Sequence, residues 1–202
     1  MKIGVDIDGV IADSLNTWVR ELNRHFAQDK KLEDIVFYQF EKIYNVSWEE
    51  MDRFFRTNQE LLLTNLAPVE QAAEILRRLK DDHDLMLITA RPEQYRYLTE
   101  KWLREHGIAY DDLVMTNFGD KSCHCKSMDI EIFIEDSLEN ALSIYQAGIP
   151  VILFDAPYNQ GPLPKGMLRK KNWQEIYQAL INRERKMFPV FPSGRNLVFQ
   201  EE

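Results

Sequence analysis

The sequence contains few cysteines and no long apolar run, and each shortage narrows the classes of protein that it can encode. Cys123 and Cys125 are its two cysteines, and they flank His124. They lie too close together to close a useful structural loop, and a structural zinc site normally needs four ligands with wider spacing. No signal peptide precedes the first strand, so we expect a cytoplasmic protein. No apolar stretch reaches the length that spans a bilayer, so we expect no membrane partner.

Basic residues are also fewer than acidic ones. The 202 residues carry 25 Lys and Arg against 33 Asp and Glu, which gives a formal net charge of -8. Proteins that bind polymeric nucleic acid derive much of their affinity from clustered Lys and Arg, so this partner class is not expected. A small anionic substrate remains compatible, because a bound cation and one or two local basic residues can reverse the sign of charge inside a cleft.

The chain begins with a predicted buried strand that ends in two carboxylates. Residues 2–5 are mostly apolar, and Asp6, Asp8 and Gly9 follow directly. Because an ionised carboxylate in an apolar core is very costly unless it is paired or bound to a metal, we expect the strand to end here in a cleft. Oxygen ligands at such a tip suit Mg²⁺, which takes one or two carboxylates together with water and substrate phosphate.

The next segment, to about residue 65, has helical patterns and many aromatic residues. Helical spacing predicts a helix over 16–26, and Ser47 with Glu50 forms a capping box at the start of another. The aromatic rings can form a small hydrophobic core for a helical insert, or some of them can line a site that stacks a flat group.

Strands and helices alternate from residue 68 onward. Apolar runs predict further strands, and periodicity predicts the helices between and after them. The predicted strands are 85–89, 113–115, 130–134 and 151–154, and the predicted helices are 70–79, 94–106, 121–128, 138–147 and 173 to about 183. Such alternation indicates right-handed crossovers and an α/β fold with a mostly parallel sheet. The basic segment 169–171 is interpreted as a solvated face.

Polar residues follow four of the predicted strands at the point where each strand ends. They are Asp6 and Asp8, then Thr89 to Arg91, then Asn117 and Lys121, and finally Glu135 and Asp136. Ligands bind at the carboxyl ends of the strands in an open parallel sheet. Each apolar run therefore leads into groups suited to phosphate chemistry.

This arrangement resembles the haloacid dehalogenase-like superfamily, in its phosphatase branch, and more narrowly the 5'(3')-deoxyribonucleotidase-like enzymes. The resemblance implies a Rossmann-like core of parallel strands flanked by helices, formed by residues 1–14 and 66–186. It also implies a helical cap inserted at 15–65, and we expect an irregular C-terminal tail at 187–202. A homodimer is compatible with the sequence, which does not indicate the oligomeric state.

The resemblance also implies a mechanism. Asp6 would attack phosphorus and form an aspartyl-phosphate, and Asp8 would protonate the leaving alcohol and then activate water. Asp6, the backbone carbonyl of Asp8, Asp136 and Glu135 would bind Mg²⁺, with Glu135 acting directly or through water. The substrate phosphate would lie against Thr89, Ala90 and Arg91, at the end of the second predicted strand, and against Lys121.

Several assignments stay open at this point. Lys126 can take the place of Lys121, although Lys121 lies where a helix begins, a position that favours anions. Arg91 can contact substrate or pair with an acidic side chain, and Asp13 can simply cap a helix. The predicted function is Mg²⁺-dependent hydrolysis of a small phosphomonoester, with a nucleoside monophosphate as the leading substrate. A phosphomutase and a non-catalytic binding module are the alternatives.

Overall fold

A six-stranded parallel sheet lies at the centre of the protein. The structure is a computed structural model that describes residues 1–187, with side chains described through residue 183. The strands are β1 (Lys2–Val5), β2 (Asp84–Thr89), β3 (Asp112–Met115), β4 (Ile132–Glu135), β5 (Val151–Phe154) and β6 (Leu168–Lys170). Their order in the sheet is β3-β2-β1-β4-β5-β6, and every neighbouring pair is parallel.

Within residues 1–187, eight α-helices connect and flank these strands. They are α1 (Ser14–Phe26), α2 (Phe40–Tyr44), α3 (Trp48–Thr64), α4 (Ala72–Lys80), α5 (Arg96–Glu105), α6 (Ser122–Ser127), α7 (Leu138–Gln146) and α8 (Trp173–Met187). Strand β1 is therefore followed by three helices before the alternation of strands and helices begins. Because the strand order reverses between β1 and β4, their carboxyl ends open a crevice at the switch point of the sheet.

Each face of the sheet is covered by a separate hydrophobic cluster. Ile3, Val5 and Trp102 belong to the cluster that includes residues of α4, α5 and α8. Phe133 and Ile144 belong to the opposite cluster, which includes residues of α6 and α7. Strands buried on both faces explain why β1 and β4 are continuous apolar runs without polar alternation.

Helices α1, α2 and α3 form a helical insert with a hydrophobic cluster of its own. Leu22, Tyr44 and Phe54 are buried in that cluster. The Asp13 side chain accepts a bond from the Asn16 amide and caps α1, and the Ser47–Glu50 capping box starts α3. Most aromatic rings of the insert therefore serve its packing, and the rings that face the crevice are described below.

The predicted Rossmann-like parallel sheet is confirmed, with two differences in detail. A sixth strand, β6, was not predicted, and the interpretation of 169–171 as a solvated face is wrong for Arg169. Arg169 lies in β6, where its guanidinium donates to the Asn159 and Gly161 carbonyls. A three-residue edge strand with two basic residues has too little apolar pattern to be recognised from sequence.

Two further expectations concern the ends and the helices of the chain. The predicted tail at 187–202 lies outside the described residues, apart from Met187, which ends α8. Within the described part of the chain, none of the helices combines the length and the hydropathy needed to cross a membrane.

Gly4 in β1 gives the first testable prediction. A Cβ atom at Gly4 would lie 2.3 Å from Cδ2 of Phe133, whose ring packs over the glycine. Alanine normally stabilises a strand more than glycine does, so a loss of stability in Gly4→Ala would result from this clash. We expect Gly4→Ala to lower the free energy of unfolding by about 1–3 kcal/mol. Urea denaturation measures it, and the loss should shrink in a Phe133→Leu background. An undiminished loss there would contradict the clash.

Candidate active site

Three adjacent strands bring the predicted site residues to one edge of the sheet. Strand β1 lies between β2 and β4, and Val5 is in register with Leu87 on one side and Ile134 on the other. Asp6 therefore lies level with Ile88 of β2 and Glu135 of β4, and Thr89 follows one residue further along β2. The parallel register thus brings these chemically different groups to the same edge of the sheet.

The central feature of this edge is a buried group of carboxylates around one lysine. Oxygens of Asp6, Glu135 and Asp136 all lie within 4.8 Å of one another. The Lys121 ammonium lies 2.8 Å from Asp6 Oδ2 and 2.8 Å from Glu135 Oε2. All four residues are at most 6% exposed. Three carboxylates and one ammonium leave a formal charge of -2 in this cluster.

Burial and mutual repulsion shift the pKa values of these carboxyls. Burial and the nearby Glu135 raise the pKa of Asp6 to about 8, against the opposing effect of Lys121. Burial and Asp6 raise the pKa of Asp136 to about 6, and burial also raises the pKa of Glu135. Burial lowers the pKa of Lys121, but Asp6 and Glu135 outweigh it, so its pKa lies above the ordinary value. The site therefore favours an additional cation.

Asp136 is held in place by groups from two parts of the chain. Its Oδ2 accepts hydrogen bonds from the hydroxyl of Tyr38, at 2.6 Å, and from that of Tyr158. Tyr38 comes from the segment between α1 and α2, and Tyr158 follows β5. Gly9 makes room for this arrangement, since a Cβ there would lie 2.0 Å from the same oxygen and its φ is +77°. The turn after β1 therefore requires glycine at this position.

Asp8 has a different environment, although only one residue separates it from Asp6. Its two oxygens accept from Nε and Nη2 of Arg91, each at 2.8 Å. The Arg91 amide also donates to Thr89 Oγ1 at 3.3 Å. The carboxylate of Asp8 therefore lies outside the cluster formed by Asp6, Glu135 and Asp136, and it has a cation of its own.

A cavity of about 710 Å³ opens in front of these groups. Asp6, Asp8, Thr89 and Asp136 line its floor, and the opposite wall comes from the helical insert. Six aromatic residues also line the cavity, namely Trp18, Tyr38, Phe40, Trp48, Phe55 and Phe118. Trp48 is 64% exposed and Phe118 is 77% exposed, which leaves both side chains open to a ligand.

The carboxylate cluster fits a divalent cation. Its donors are all oxygens and they lie within 4.8 Å of one another. Among the side chains described, through residue 183, Lys121 is the one ammonium that contacts these three carboxylates. Hard cations such as Mg²⁺ prefer oxygen donors of this kind. Among the side chains that the structure describes, this is the one group of three or more carboxylate, histidine or cysteine ligands with such spacing.

The structure separates the predicted site residues into neighbours and outliers. Thr89, Ala90 and Arg91 line the cavity with Asp6 and Asp8, and Lys121 contacts Asp6. Lys126 is exposed on α6 and makes no such contact in the described part of the chain. Asp13 caps α1.

Sequence reasoning missed three features of this site. The two tyrosines on Asp136 were not predicted, and neither was Phe118, which has a left-handed φ of +62° at the cavity wall. The rule that ligands bind at strand carboxyl ends, applied to β5, would have indicated Tyr158. Contacts from Tyr38 depend on how the insert folds over the sheet, which periodicity does not report.

The fold and the arrangement of acidic residues at the strand ends define the class of protein. Solved structures of this architecture include a haloacid dehalogenase-like family hydrolase from Streptococcus pneumoniae, with a TM-score of 0.67 and 14% identity over 89% of this chain and 97% of that one. A haloacid dehalogenase superfamily hydrolase from Geobacter sulfurreducens has a TM-score of 0.61 and 18% identity over 89% and 95%. The protein has the haloacid dehalogenase-like fold.

Sequence comparison assigns the family within that class. The model of the family described as 5' nucleotidase, deoxy (pyrimidine), cytosolic type C protein matches residues 1–187, and the chain belongs to this family. The Bacillus subtilis protein YqfW is 34% identical over 94% of this chain and 98% of its own length. A nucleotidase of Clostridium acetobutylicum is 30% identical over 88% and 92%, and a Bacillus subtilis 5'(3')-deoxyribonucleotidase is 27% identical over 89% and 98%. The protein is thus a hydrolase of phosphoric monoesters.

The two lysines that the sequence left open provide a matched pair for a stability test. Lys121→Met would leave three buried carboxylates without their ammonium, whereas Lys126→Met removes an exposed charge. With EDTA present at neutral pH, we expect Lys121→Met to lose about 3–5 kcal/mol of unfolding free energy. Lys126→Met should stay within about 0.5 kcal/mol of the original protein. Urea denaturation measures both values, and equal losses would contradict the buried ion cluster.

Proposed function

We propose that the protein is a Mg²⁺-dependent nucleotidase that transfers the phosphoryl group of a nucleoside monophosphate to Asp6 and then to water. The observation that carries this proposal is the position of Asp6. Its carboxylate lies on the cavity floor, 2.8 Å from the Lys121 ammonium, with carboxylate oxygens of Glu135 and Asp136 within 4.8 Å. A buried carboxylate at the base of an open cavity, beside a cation, is suited to nucleophilic attack on phosphorus.

Asp6, Asp136 and the backbone carbonyl of Asp8 would hold Mg²⁺, with Glu135 contributing directly or through water. When bound, the ion neutralises negative charge on the transferring phosphoryl group. The two tyrosine hydroxyls on Asp136 Oδ2 leave its other oxygen for this role. The carboxylate cluster is thereby brought close to charge balance.

Side chains of the protein accept the phosphoryl group and transfer the proton. Asp6 attacks phosphorus while the ester bond breaks, and the leaving alcohol takes a proton from Asp8. Asp8 then removes a proton from water as that water attacks the aspartyl-phosphate, which releases phosphate and restores Asp6. Thr89 Oγ1 accepts a hydrogen bond from the Arg91 amide through one lone pair. The Thr89 hydroxyl can therefore still donate its proton to a phosphate oxygen. Lys121 balances charge that Asp6 shares with the phosphoryl group.

The size and lining of the cavity favour a substrate that contains a flat ring. Its volume of about 710 Å³ lies within the range of about 300–1,000 Å³ that is usual for small-molecule sites. Trp48 on the insert and Phe118 on the core both line it and expose most of their surface. Aromatic side chains of this kind stack nucleobases. The family name and the name of the Bacillus deoxyribonucleotidase agree with a deoxynucleoside monophosphate.

The nucleophile is tested by a matched pair of conservative changes. Asp6→Asn removes the attacking oxygen anion, and Asp13→Asn keeps a side chain that can still cap α1. With deoxynucleoside monophosphates and Mg²⁺, we expect Asp6→Asn to lower phosphate release by at least about 10⁴-fold, since nucleophile and base effects of this size are usual. Asp13→Asn should keep its rate within about twofold, a change of about 0.4 kcal/mol.

The same assay separates the alternatives. Removal of Mg²⁺ with EDTA should abolish phosphate release by the original protein. Equal rates for Asp6→Asn and the original protein would contradict the covalent mechanism. An isomerised phosphate ester as the main product, in place of free phosphate, would identify a phosphomutase.

The stacking role of Trp48 gives a separate prediction. Stacking of a base on an aromatic ring contributes about 1–3 kcal/mol, so Trp48→Ala should raise KM for the best deoxynucleoside monophosphate about tenfold. KM for glycerol phosphate, which has no ring, should change by less than about twofold. Tyr97→Ala is the control, because Tyr97 is 71% exposed and lies outside the cavity lining. Equal increases of KM for both substrates would contradict stacking on Trp48.

A further inference from the structure

A bidentate ion pair joins Arg91 to Asp8 beside the carboxylate cluster. Nε donates to Oδ2 and Nη2 donates to Oδ1, each at 2.8 Å. This fork geometry holds the guanidinium and the carboxylate in a common plane, which a single ammonium cannot do. The rotation of the Asp8 carboxyl about its last bond is therefore set by Arg91.

The Arg91 guanidinium is also held by a buried hydrogen bond. The Arg91 side chain is 2% exposed, and its Nη1 donates to Oγ1 of Thr99, a fully buried residue of α5, at 3.3 Å. The Asp8 side chain is 20% exposed and lines the cavity. Arg91 thus connects a buried residue of α5 to an acidic group that lines the cavity.

We propose that Arg91 is a positioning residue, which sets the plane of the Asp8 carboxyl. The fork takes one lone pair on each Asp8 oxygen, so a remaining lone pair holds the proton that Asp8 gives to the leaving alcohol and takes back from water. This inference rests on the proposed function, in which Asp8 exchanges a proton with the leaving group and with water. As the P–O bond to the alcohol breaks and the bond to Asp6 forms, the proton passes from Asp8 to the alcohol oxygen. A carboxyl that turns freely would present its proton in the wrong direction for much of the time.

A direct role in binding the substrate phosphate is the competing interpretation of Arg91. A phosphate-binding arginine directs its fork to the anion, whereas here the fork is directed to Asp8. The two roles also predict different kinetics. A positioning residue for the acid matters most when the leaving group needs a proton, and a phosphate-binding residue matters equally for every phosphate ester.

The experiment compares two esters that share the phosphate and differ in the leaving group. Nitrophenolate leaves p-nitrophenyl phosphate with little need for a proton, and benzyl phosphate releases a poor leaving group. Arg91→Lys keeps the charge and removes the fork. General acid catalysis contributes about 10²–10⁴-fold, so we expect Arg91→Lys to lower kcat/KM for benzyl phosphate about tenfold more than for p-nitrophenyl phosphate. The inhibition constant of inorganic phosphate should change by less than about twofold.

The ratio of the two kcat/KM values is unaffected by a partial loss of folded enzyme, so it separates positioning from a structural effect. Arg96→Met is the matched control, because Arg96 pairs with Glu93 and Glu100 outside the cavity and its loss should leave the ratio unchanged. If Arg91→Lys does not fold, Thr99→Val serves in its place. That variant frees Nη1, and the ratio should shift in the same direction by about threefold, or about 0.65 kcal/mol.

The outcomes are distinct. Equal losses on both esters would overturn the positioning role, and so would a large rise in the inhibition constant of phosphate, which would identify Arg91 as a phosphate ligand. Both results leave the proposed hydrolase function intact. If the original protein with Mg²⁺ hydrolyses neither ester nor any deoxynucleoside monophosphate, the proposed function fails and this inference fails with it.

Discussion

The contact of one lysine with two buried carboxylates is the interaction on which the rest of the site depends. Lys121 lies 2.8 Å from both Asp6 and Glu135, and all three side chains are almost completely buried. Without that ammonium, the ends of β1 and β4 would carry unpaired charges inside the protein, at a cost of several kcal/mol for each ion. Since Asp136 adds a third carboxylate, the cluster is incomplete even with Lys121. The same charge imbalance that destabilises the fold therefore favours the binding of a further cation.

The second constraint is the fit of the helical insert onto the sheet. Tyr38 of the insert and Tyr158 of the core both donate to the same oxygen of Asp136, and their rings lie 4.3 Å apart between centroids. The insert therefore does more than enclose the cavity, because it also fixes the orientation of a carboxylate in the cluster. Gly9 permits this contact, since any side chain there would occupy the space of the Asp136 carboxylate. Three segments far apart in the sequence thus determine the position of one oxygen.

Much of this organisation was accessible from sequence, and the reasons are physical. Buried strands are apolar runs, so a polar residue at the end of such a run indicates a strand tip, and this placed Asp6, Thr89 and Glu135 at one edge. The helix start at Lys121 favoured it over Lys126. The edge strand β6 and the contacts of Tyr38 were not accessible. An edge strand of three residues carries almost no pattern, and side-chain contacts between the insert and the core depend on tertiary packing.

In the proposed mechanism Asp6 and Asp8 have different tasks although only one residue separates them, and their surroundings differ accordingly. Asp6 belongs to a crowded acidic cluster, where burial and Glu135 raise its pKa to about 8 and Lys121 opposes them. Asp8 turns away from that cluster and has Arg91 as its own partner. A nucleophile needs a cation that leaves room for attack, and an ammonium contacting one oxygen meets that need. A proton carrier needs a fixed direction instead, and a planar fork supplies it. The proposed tasks would account for a lysine beside Asp6 and an arginine beside Asp8.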